Sequence, residues 1–408
     1  MSESNNQDFQ KLKIALVHDQ IAEFGGAERV LVALKEAFPH ADVYTSFVDK
    51  KRLGKHWHHF DGWNIIESRA SRIPFFNKLY SPLRFLLPWV WSSFDLSSYN
   101  VVIASSSWGM SKGISLNNSE KRKAKSEKIH KTDHSRLAIR HSPVYFCYLH
   151  APPRYLYGYD ESGLKKYLLV RIYALIVNHF LRQYDYRSSQ IIDHFIFNSE
   201  EIRKRSLKFY RRDGVVIHPP IIQVQSTEYK VQSDKHLEYY LTVSRLAPTK
   251  HIDLLIEAAN KGKFHLKVVG SGNQEKYLKG IAGPTVEFLG PVNDQELQSL
   301  YQNAKAFLYA SVNEDFGMVP VEAMAHGTPV VAYASGGVLE TVIDGKTGYL
   351  YHDLKPEAVI EAVQKIETAE PTEYEALQEQ AIIFASSCSK DTFINSIKEQ
   401  VKKNLQTK

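Results

Sequence analysis

The sequence predicts an α/β protein built from two doubly wound parallel sheets, and three observations carry that expectation. Short apolar runs of strand length alternate with helix-length stretches through both halves of the 408 residues. Several of these runs break at their carboxyl ends into glycine or polar residues, which is where such sheets place ligands. A polar stretch at 221–235 separates the first alternating series from the second and reads as the linker.

Taken in order, residues 13–18 read as the first strand, and they lead through Asp19 to Gly25-Gly26 and an amphipathic helix. Two glycines at a helix start let a backbone approach a ligand there, although a tight turn explains the pair equally well. Further strands are expected at 41–47, 99–105, from 144 to a polar switch at His150, and at 194–199, and 215–220 closes the first series. The strand from 144 ends in His150, then Pro152, Pro153 and Arg154, and a long helix follows at 164–183 that is too polar to span a membrane. The second series runs 239–244, 264–269, 286–289, 304–310 and 330–334, with helices after Pro356 and an amphipathic terminal helix at 391–405. The domain boundaries expected are therefore 1–220, 221–385 and a terminal helical segment at 386–408.

Composition narrows the class. A hydrophobic fraction of 43% and a charged fraction of 24% are ordinary for a globular protein, and the length suffices for two cores. The net charge is +6, and residues 117–141 alone hold eight Lys/Arg against three acids, so most of the excess sits in one insertion. That run lacks the aromatics that stack bases, which argues against nucleic acid and leaves a solvated loop or anionic lipid headgroups. Bulky apolar residues interleave with cations at 69–91, a pattern that suits either a membrane surface or ordinary core. The first thirteen residues are polar and no charge-free run reaches the ~18–20 residues of a span, so a cytoplasmic protein with peripheral contact at the inner membrane face is expected. Cys147 and Cys388 show no metal or redox spacing and read as buried thiols.

The most informative stretch is 311–330. An apolar strand candidate ends before it, and a short Ala/Met/Val-rich helix is expected to start near Gly317 or Met318. Pro320 fits the first helical turn, where its missing N–H is not needed, and Gly327 with Pro329 stops the helix. Its free N–H groups then offer an anion site at the carboxyl edge of a parallel sheet. Glu314 and Glu322 bracket that site. Carboxylates beside a phosphate suit neutral hydroxyls, so a diphosphate with hydroxyls on both sides, a nucleotide sugar, fits the chemistry. Arg245 and Lys250, directly after the first strand of the second series, supply a fork of donors and a point charge. Gly270-Ser271-Gly272 is another glycine-containing strand end, suited to close approach of a base or phosphate.

These motifs come in the order seen in glycosyltransferase family four: Gly25-Gly26-Ala27-Glu28-Arg29, His150 with Pro152-Pro153-Arg154, Asn198-Ser199, Ser244-Arg245-Leu246 with Lys250, Gly270 and Gly272, and Glu314-Asp315-Phe316-Gly317 with Glu322 and Gly327. The resemblance spans 13–398. Val17-His18-Asp19-Gln20, Glu28-Arg29-Val30 and 150–155 further resemble bacterial mannosyltransferases that build surface polysaccharides. The insertion at 117–141 departs from the family's short connection there. The resemblance implies the GT-B fold, two facing Rossmann-like domains with a central cleft, and transfer with retention of anomeric configuration. It implies that Arg245 and Lys250 hold the donor diphosphate with the Gly25-Gly26 backbone, and that Glu322 takes the ribose hydroxyls. Glu314 and the N–H groups of Asp315, Phe316, Gly317, Met318 and Val319 would take sugar and phosphate, with Gly270 and Gly272 beside the donor. His150 would lie under the anomeric carbon near the sugar's six-hydroxyl, and Arg154 on the acceptor side. Retention could use a carboxylate nucleophile, for which Glu314 is the candidate; the family pattern instead implies attack on the face from which the diphosphate departs, the leaving phosphate taking the acceptor's proton. No Asp-x-Asp occurs in the chain, so neither a metal nor another cofactor is expected.

The expected partners are a nucleotide-sugar donor, GDP-mannose favoured, and a glycan or polyprenyl-linked glycan acceptor, with membrane contact through 69–91 and 117–141. A UDP-hexose donor stays open, as does a non-catalytic nucleotide-sugar-binding module. A dinucleotide oxidoreductase is disfavoured because the first strand leads to Gly25-Gly26 rather than a full G-x-G-x-x-G.

Overall fold

The computed structural model describes residue 9 and residues 12–114, 143–159, 168–221 and 239–406. The insertion at 117–141 and all but the first residue of the 221–235 stretch lie outside them. The chain forms two compact units, one of residues 1–198, 202–217 and 394–408, the other of residues 199–201 and 218–393.

The first unit holds a seven-stranded, wholly parallel sheet. Its strands are β1 (Ile14–His18), β2 (Asp42–Thr45), β3 (Ile65–Glu67), β4 (Val101–Ser106), β5 (Val144–Leu149), β6 (His194–Phe197) and β7 (Gly214–Val216), in the order β3-β2-β1-β4-β5-β6-β7. All residues of β1, β4 and β5 are buried, as expected of strands covered on both faces. The order reverses between β1 and β4, so the carboxyl ends of these two neighbours flank the switch point. Among its described helices of eight residues or more are α1 (Gly26–Ala37), α2 (Leu168–Gln190) and α3 (Glu200–Tyr210). α2 continues seven residues past the end expected from the sequence.

An ion pair inside this unit ties the turn after β4 to α2. The Lys112 ammonium donates to the Asp185 carboxylate, both side chains wholly buried. Tyr157 Oη donates to the second Asp185 oxygen at 2.8 Å, which further compensates the carboxylate, and Tyr145 Oη donates to the Lys112 backbone carbonyl at 2.8 Å and fixes the turn. Asp19, just beyond β1, accepts the amides of Ser107, Gly109 and Ser111 at 2.8–2.9 Å and so shapes that same turn.

The second unit holds a six-stranded parallel sheet of β8 (Tyr239–Val243), β9 (Leu266–Val269), β10 (Val286–Gly290), β11 (Ala304–Tyr309), β12 (Val330–Tyr333) and β13 (Gly348–Tyr351), in the order β10-β9-β8-β11-β12-β13. Alternate residues of β11 enter opposite cores, Ala306 and Leu308 one, Phe307 and Tyr309 the other, so helices cover both faces. Those helices include α4 (Ile252–Gly262), α5 (Asp294–Gln302), α6 (Met318–Ala325), α7 (Pro356–Thr368) and α8 (Pro371–Ser387); α9 (Lys390–Gln406) follows, its residues from 394 onward clustering with the first unit. α6 starts one residue after Gly317, with Pro320 in its first turn, and stops before Gly327, which adopts φ 74°. Cys147 and Cys388 are both buried thiols, and burial pushes the Cys147 thiol pKa up.

The aromatic and cationic segment at 69–91 divides. Phe76, Tyr80, Leu87, Val90 and Trp91 are core residues, whereas Phe75, Leu79, Phe85 and Trp89 are exposed.

Candidate functional site

Each unit gathers polar side chains at the carboxyl edge of its sheet, beside the point where the strand order reverses. In the second unit that point lies between β8 and β11. β8 feeds Ser244, Arg245 and a turn ending in Lys250; β11 feeds Ser311 and the loop to α6. Parallel pairing of the two strands therefore brings residues some sixty positions apart into contact.

Glu314 is the centre of that contact. Its Oε2 accepts from Lys250 Nζ, Tyr309 Oη and Ser311 Oγ, each at 2.8 Å. Lys250 also reaches Ser311 Oγ at 3.1 Å. Burial works to raise the Glu314 pKa, but the Lys250 charge and these three hydrogen bonds outweigh it and hold the carboxyl near about 2. No hydrogen bond among the described residues uses Oε1. The arrangement is a carboxylate anchored at one oxygen and open at the other. Arg245 contrasts with Lys250, since it is exposed and its guanidinium makes no ion pair or hydrogen bond with the described residues.

The loop bearing Glu314 is braced by a glycine pair that sequence reasoning did not single out. Gly337 N donates to the Glu314 carbonyl at 2.8 Å. A Cβ on Gly336 would meet that carbonyl oxygen at 2.3 Å, and one on Gly337 would meet the Asp315 oxygen at 2.4 Å. The available signal was Ser335-Gly336-Gly337 at the end of an apolar strand, the same layout as Gly25-Gly26. Phe316 and Gly317 are buried, Asp315, Met318 and Val319 half-buried, and the free amides of Met318 and Val319 open α6. Glu322 lies one turn into α6 and is buried, and its carbonyl is bonded to His326 Nδ1 at 2.7 Å.

Gly270 and Gly272 have a physical reason that the sequence did not show. Gly270 adopts φ 125°, and a Cβ there would lie 2.0 Å from the Ser244 oxygen; one on Gly272 would lie 2.3 Å from the Leu246 oxygen. The absence of a side chain at these glycines lets the backbone pack against the Ser244 and Leu246 carbonyls that flank Arg245.

In the first unit, the register of β1, β4 and β5 sets His18 beside Ser105 and brings His150 next to it. Ser105 Oγ lies 3.0 Å from His18 Nδ1 and 2.8 Å from His150 Nε2, and His18 Nε2 lies 3.6 Å from Glu28 Oε1. Ser105 has one hydroxyl hydrogen, so it donates to one ring and accepts from the other. The Glu28 carboxylate favours the proton of His18 on Nε2, which leaves Nδ1 to accept from Ser105 and His150 Nε2–H to donate to it. His150 Nδ1 then carries a lone pair, with no partner among the described residues. Burial, aided by His18, lowers the His150 pKa to about 3, so the ring is neutral at ordinary pH. Neither His18 nor Ser105 had been assigned a part from the sequence, because 87 and 45 residues separate the members of this chain of contacts.

Glu28 Oε2 also accepts from the Gly25 amide at 2.9 Å, so that N–H is already engaged by a carboxylate. Gly26 is the first residue of α1. Arg154 is half-buried and opens a one-turn helix, Arg154–Tyr157, while Asn198 Nδ2 donates to the His150 carbonyl at 2.9 Å.

Comparison with known proteins agrees with this anatomy. Residues 225–383 match the family model described as glycosyl transferases group 1. The chain is 25% identical over 402 residues to the alpha-1,3/1,6-mannosyltransferase ALG2 of Dictyostelium discoideum, covering 84% of this chain and 87% of that one. It is 37% identical over 108 residues to a GDP-mannose-dependent alpha-mannosyltransferase of Mycobacterium tuberculosis (26% of this chain, 28% of that one), and 34% over 145 residues to an uncharacterized glycosyltransferase of Methanocaldococcus jannaschii (33% and 37%). These last two matches span well under half of either relative. Among solved structures, the lipopolysaccharide outer core galactosyltransferase WaaB matches with TM-score 0.64 at 16% identity, over 96% of this chain and 100% of that one. Sucrose-phosphate synthase from Thermosynechococcus elongatus matches with TM-score 0.65 at 19% identity, over 98% and 100%. At such identities the structures speak to the fold, which is GT-B. Over residues 225–383 the chain is similar to the group 1 glycosyl transferases.

Proposed function

We propose that this protein is a retaining glycosyltransferase that moves a hexose, with mannose from GDP-mannose the favoured donor, onto a lipid-linked or surface-polysaccharide glycan. The observation that carries the reading is the state of Glu314. A carboxylate held near pKa 2 and paired with Lys250 is a weak base and a weak nucleophile, but its open Oε1 is a good acceptor for a sugar hydroxyl. That supports a mechanism in which the departing diphosphate, not the protein, takes the acceptor's proton. Arg245 and Lys250 supply the positive charge that a developing diphosphate needs, and the α6 amides add a dipole of the same sign. Glu322 is assigned to the ribose hydroxyls and Arg154 to the acceptor. The neutral His150, with its Nδ1 lone pair, is assigned to a hydroxyl of the donor sugar. The mannosyl preference is supported by the two relatives named as mannosyltransferases.

The test is a screen of GDP-mannose, UDP-glucose, UDP-galactose and UDP-N-acetylglucosamine for hydrolysis and binding. Saturable hydrolysis of GDP-mannose is expected, unchanged by chelator. Saturation by a UDP-sugar with no response to GDP-mannose overturns the donor, and binding without turnover of any of the four overturns the enzyme.

Ser105→Ala tests the His150 assignment. Without the hydroxyl, both rings lose their shared partner, and turnover is expected to fall roughly tenfold, the worth of about one hydrogen bond, at unchanged donor KM. Full activity in that variant removes the hydroxyl chain from the mechanism.

A further inference from the structure

α2 is folded with its polarity reversed. Its buried residues are Asn178, Leu181, Asp185, Ser188 and Ser189, while Leu168, Leu169, Ile172, Leu175, Ile176 and Phe180 face outward, from 47% exposed at Ile172 to 81% at Leu169. At about 100° per residue these six share one arc of roughly 140°. The polar side is accounted for by the Lys112–Asp185 pair and by Asn178, whose Nδ2 donates to the Tyr155 carbonyl at 3.1 Å. A helix that turns Asn178, Asp185 and two serines inward and six large apolar side chains outward makes sense when the outside is apolar.

The 69–91 segment adds to the same surface. Tyr173 Oη donates to the Pro82 carbonyl at 2.5 Å and Arg84 Nη2 to Asn178 Oδ1 at 3.2 Å, which ties the segment carrying the exposed Phe75, Leu79, Phe85 and Trp89 to α2. Charge identifies the occupant. No Asp or Glu occurs at 68–94 or at 168–184, whereas Arg69, Arg72, Lys78, Arg171 and Arg182 are exposed there. No described helix is long and apolar enough to cross a membrane.

We infer that the outward face of α2 and the exposed residues of 69–91 form a docking surface for an anionic lipid membrane. The apolar residues enter the headgroup and acyl boundary, and the cations that rim them pair with lipid phosphates. The surface is independent of which sugar is moved.

Vesicle flotation of the full chain tests it, with phosphatidylcholine alone and with added phosphatidylglycerol. The expected result is flotation that strengthens with phosphatidylglycerol and weakens with salt. The double variant Leu175→Glu/Phe180→Glu is expected to lose partitioning by roughly 100-fold or more at unchanged thermal unfolding, since both side chains are exposed. Arg171→Glu/Lys78→Glu is expected to lose only the phosphatidylglycerol-dependent part. Equal flotation of wild type and the Leu175→Glu/Phe180→Glu protein overturns the inference. A polarity-sensitive fluorophore at Leu175→Cys is expected to shift to the blue on adding vesicles. A blue emission already present without them also overturns it, as a second copy covers the face if the emission depends on concentration and another segment of this chain if it does not.

Discussion

Lys250→Met is expected to lower turnover by about 10²–10³-fold, the usual loss when one electrostatic stabiliser of a developing anion is removed. The variant also strips Glu314 of its charge partner, so its effect on stability depends on pH. In the wild type the Glu314 pKa is depressed from 4.5 to about 2. A depressed carboxyl contributes stability that is fully present above its unfolded value and is lost as pH falls through the folded one. The stability gap between wild type and Lys250→Met should therefore be widest above about pH 5 and close toward pH 2. Urea unfolding at several pH values measures it. A gap that does not change over that range sinks the pairing argument, and wild-type turnover in the variant sinks the catalytic one. Glu314→Gln separates the two, because it removes the anion and leaves Lys250 in place.

Lys112→Ala is expected to destabilise the first unit by about 3–5 kcal/mol, the typical result of leaving a buried charge uncompensated. Asp185 would keep the Tyr157 hydroxyl at 2.8 Å but lose its charge partner, with its side chain wholly buried. The double variant Lys112→Met/Asp185→Leu removes both charges and should recover most of the loss. Chemical denaturation of the three proteins decides this. If the double variant is as unstable as the single one, geometry rather than charge compensation holds the turn after β4 to α2.

What the sequence made legible was punctuation and period. The start of α6 could be placed within a residue because Gly317, Pro320 and Gly327 each restrict the backbone in a different way. The long strands were readable because burial on both faces leaves them almost wholly apolar. β3 and β13 were not read. The first has three residues, none of them buried, and the second opens on Gly348 at φ 150°, its tyrosines giving no alternation. Of the candidate site, Glu314 and Lys250 could be named but their contact could not, since it arises from the pairing of β8 with β11. The His18–Ser105–His150 chain was hidden for the same reason. The reversed helix was invisible because its leucines, arginines and serines look like an ordinary amphipathic pattern until the core declares which side it takes.

Glu28 holds two posts, one oxygen on the Gly25 amide and the other near His18. An anion that takes the Gly25 N–H competes with that carboxylate for a single hydrogen. Thermodynamic reciprocity then runs both ways: a firmer hold by Glu28 weakens the anion, and a bound anion releases Glu28 toward His18. The first turn of α1 is in this sense an exchange point, through which occupancy of the amide is felt at the contact between Glu28 and His18.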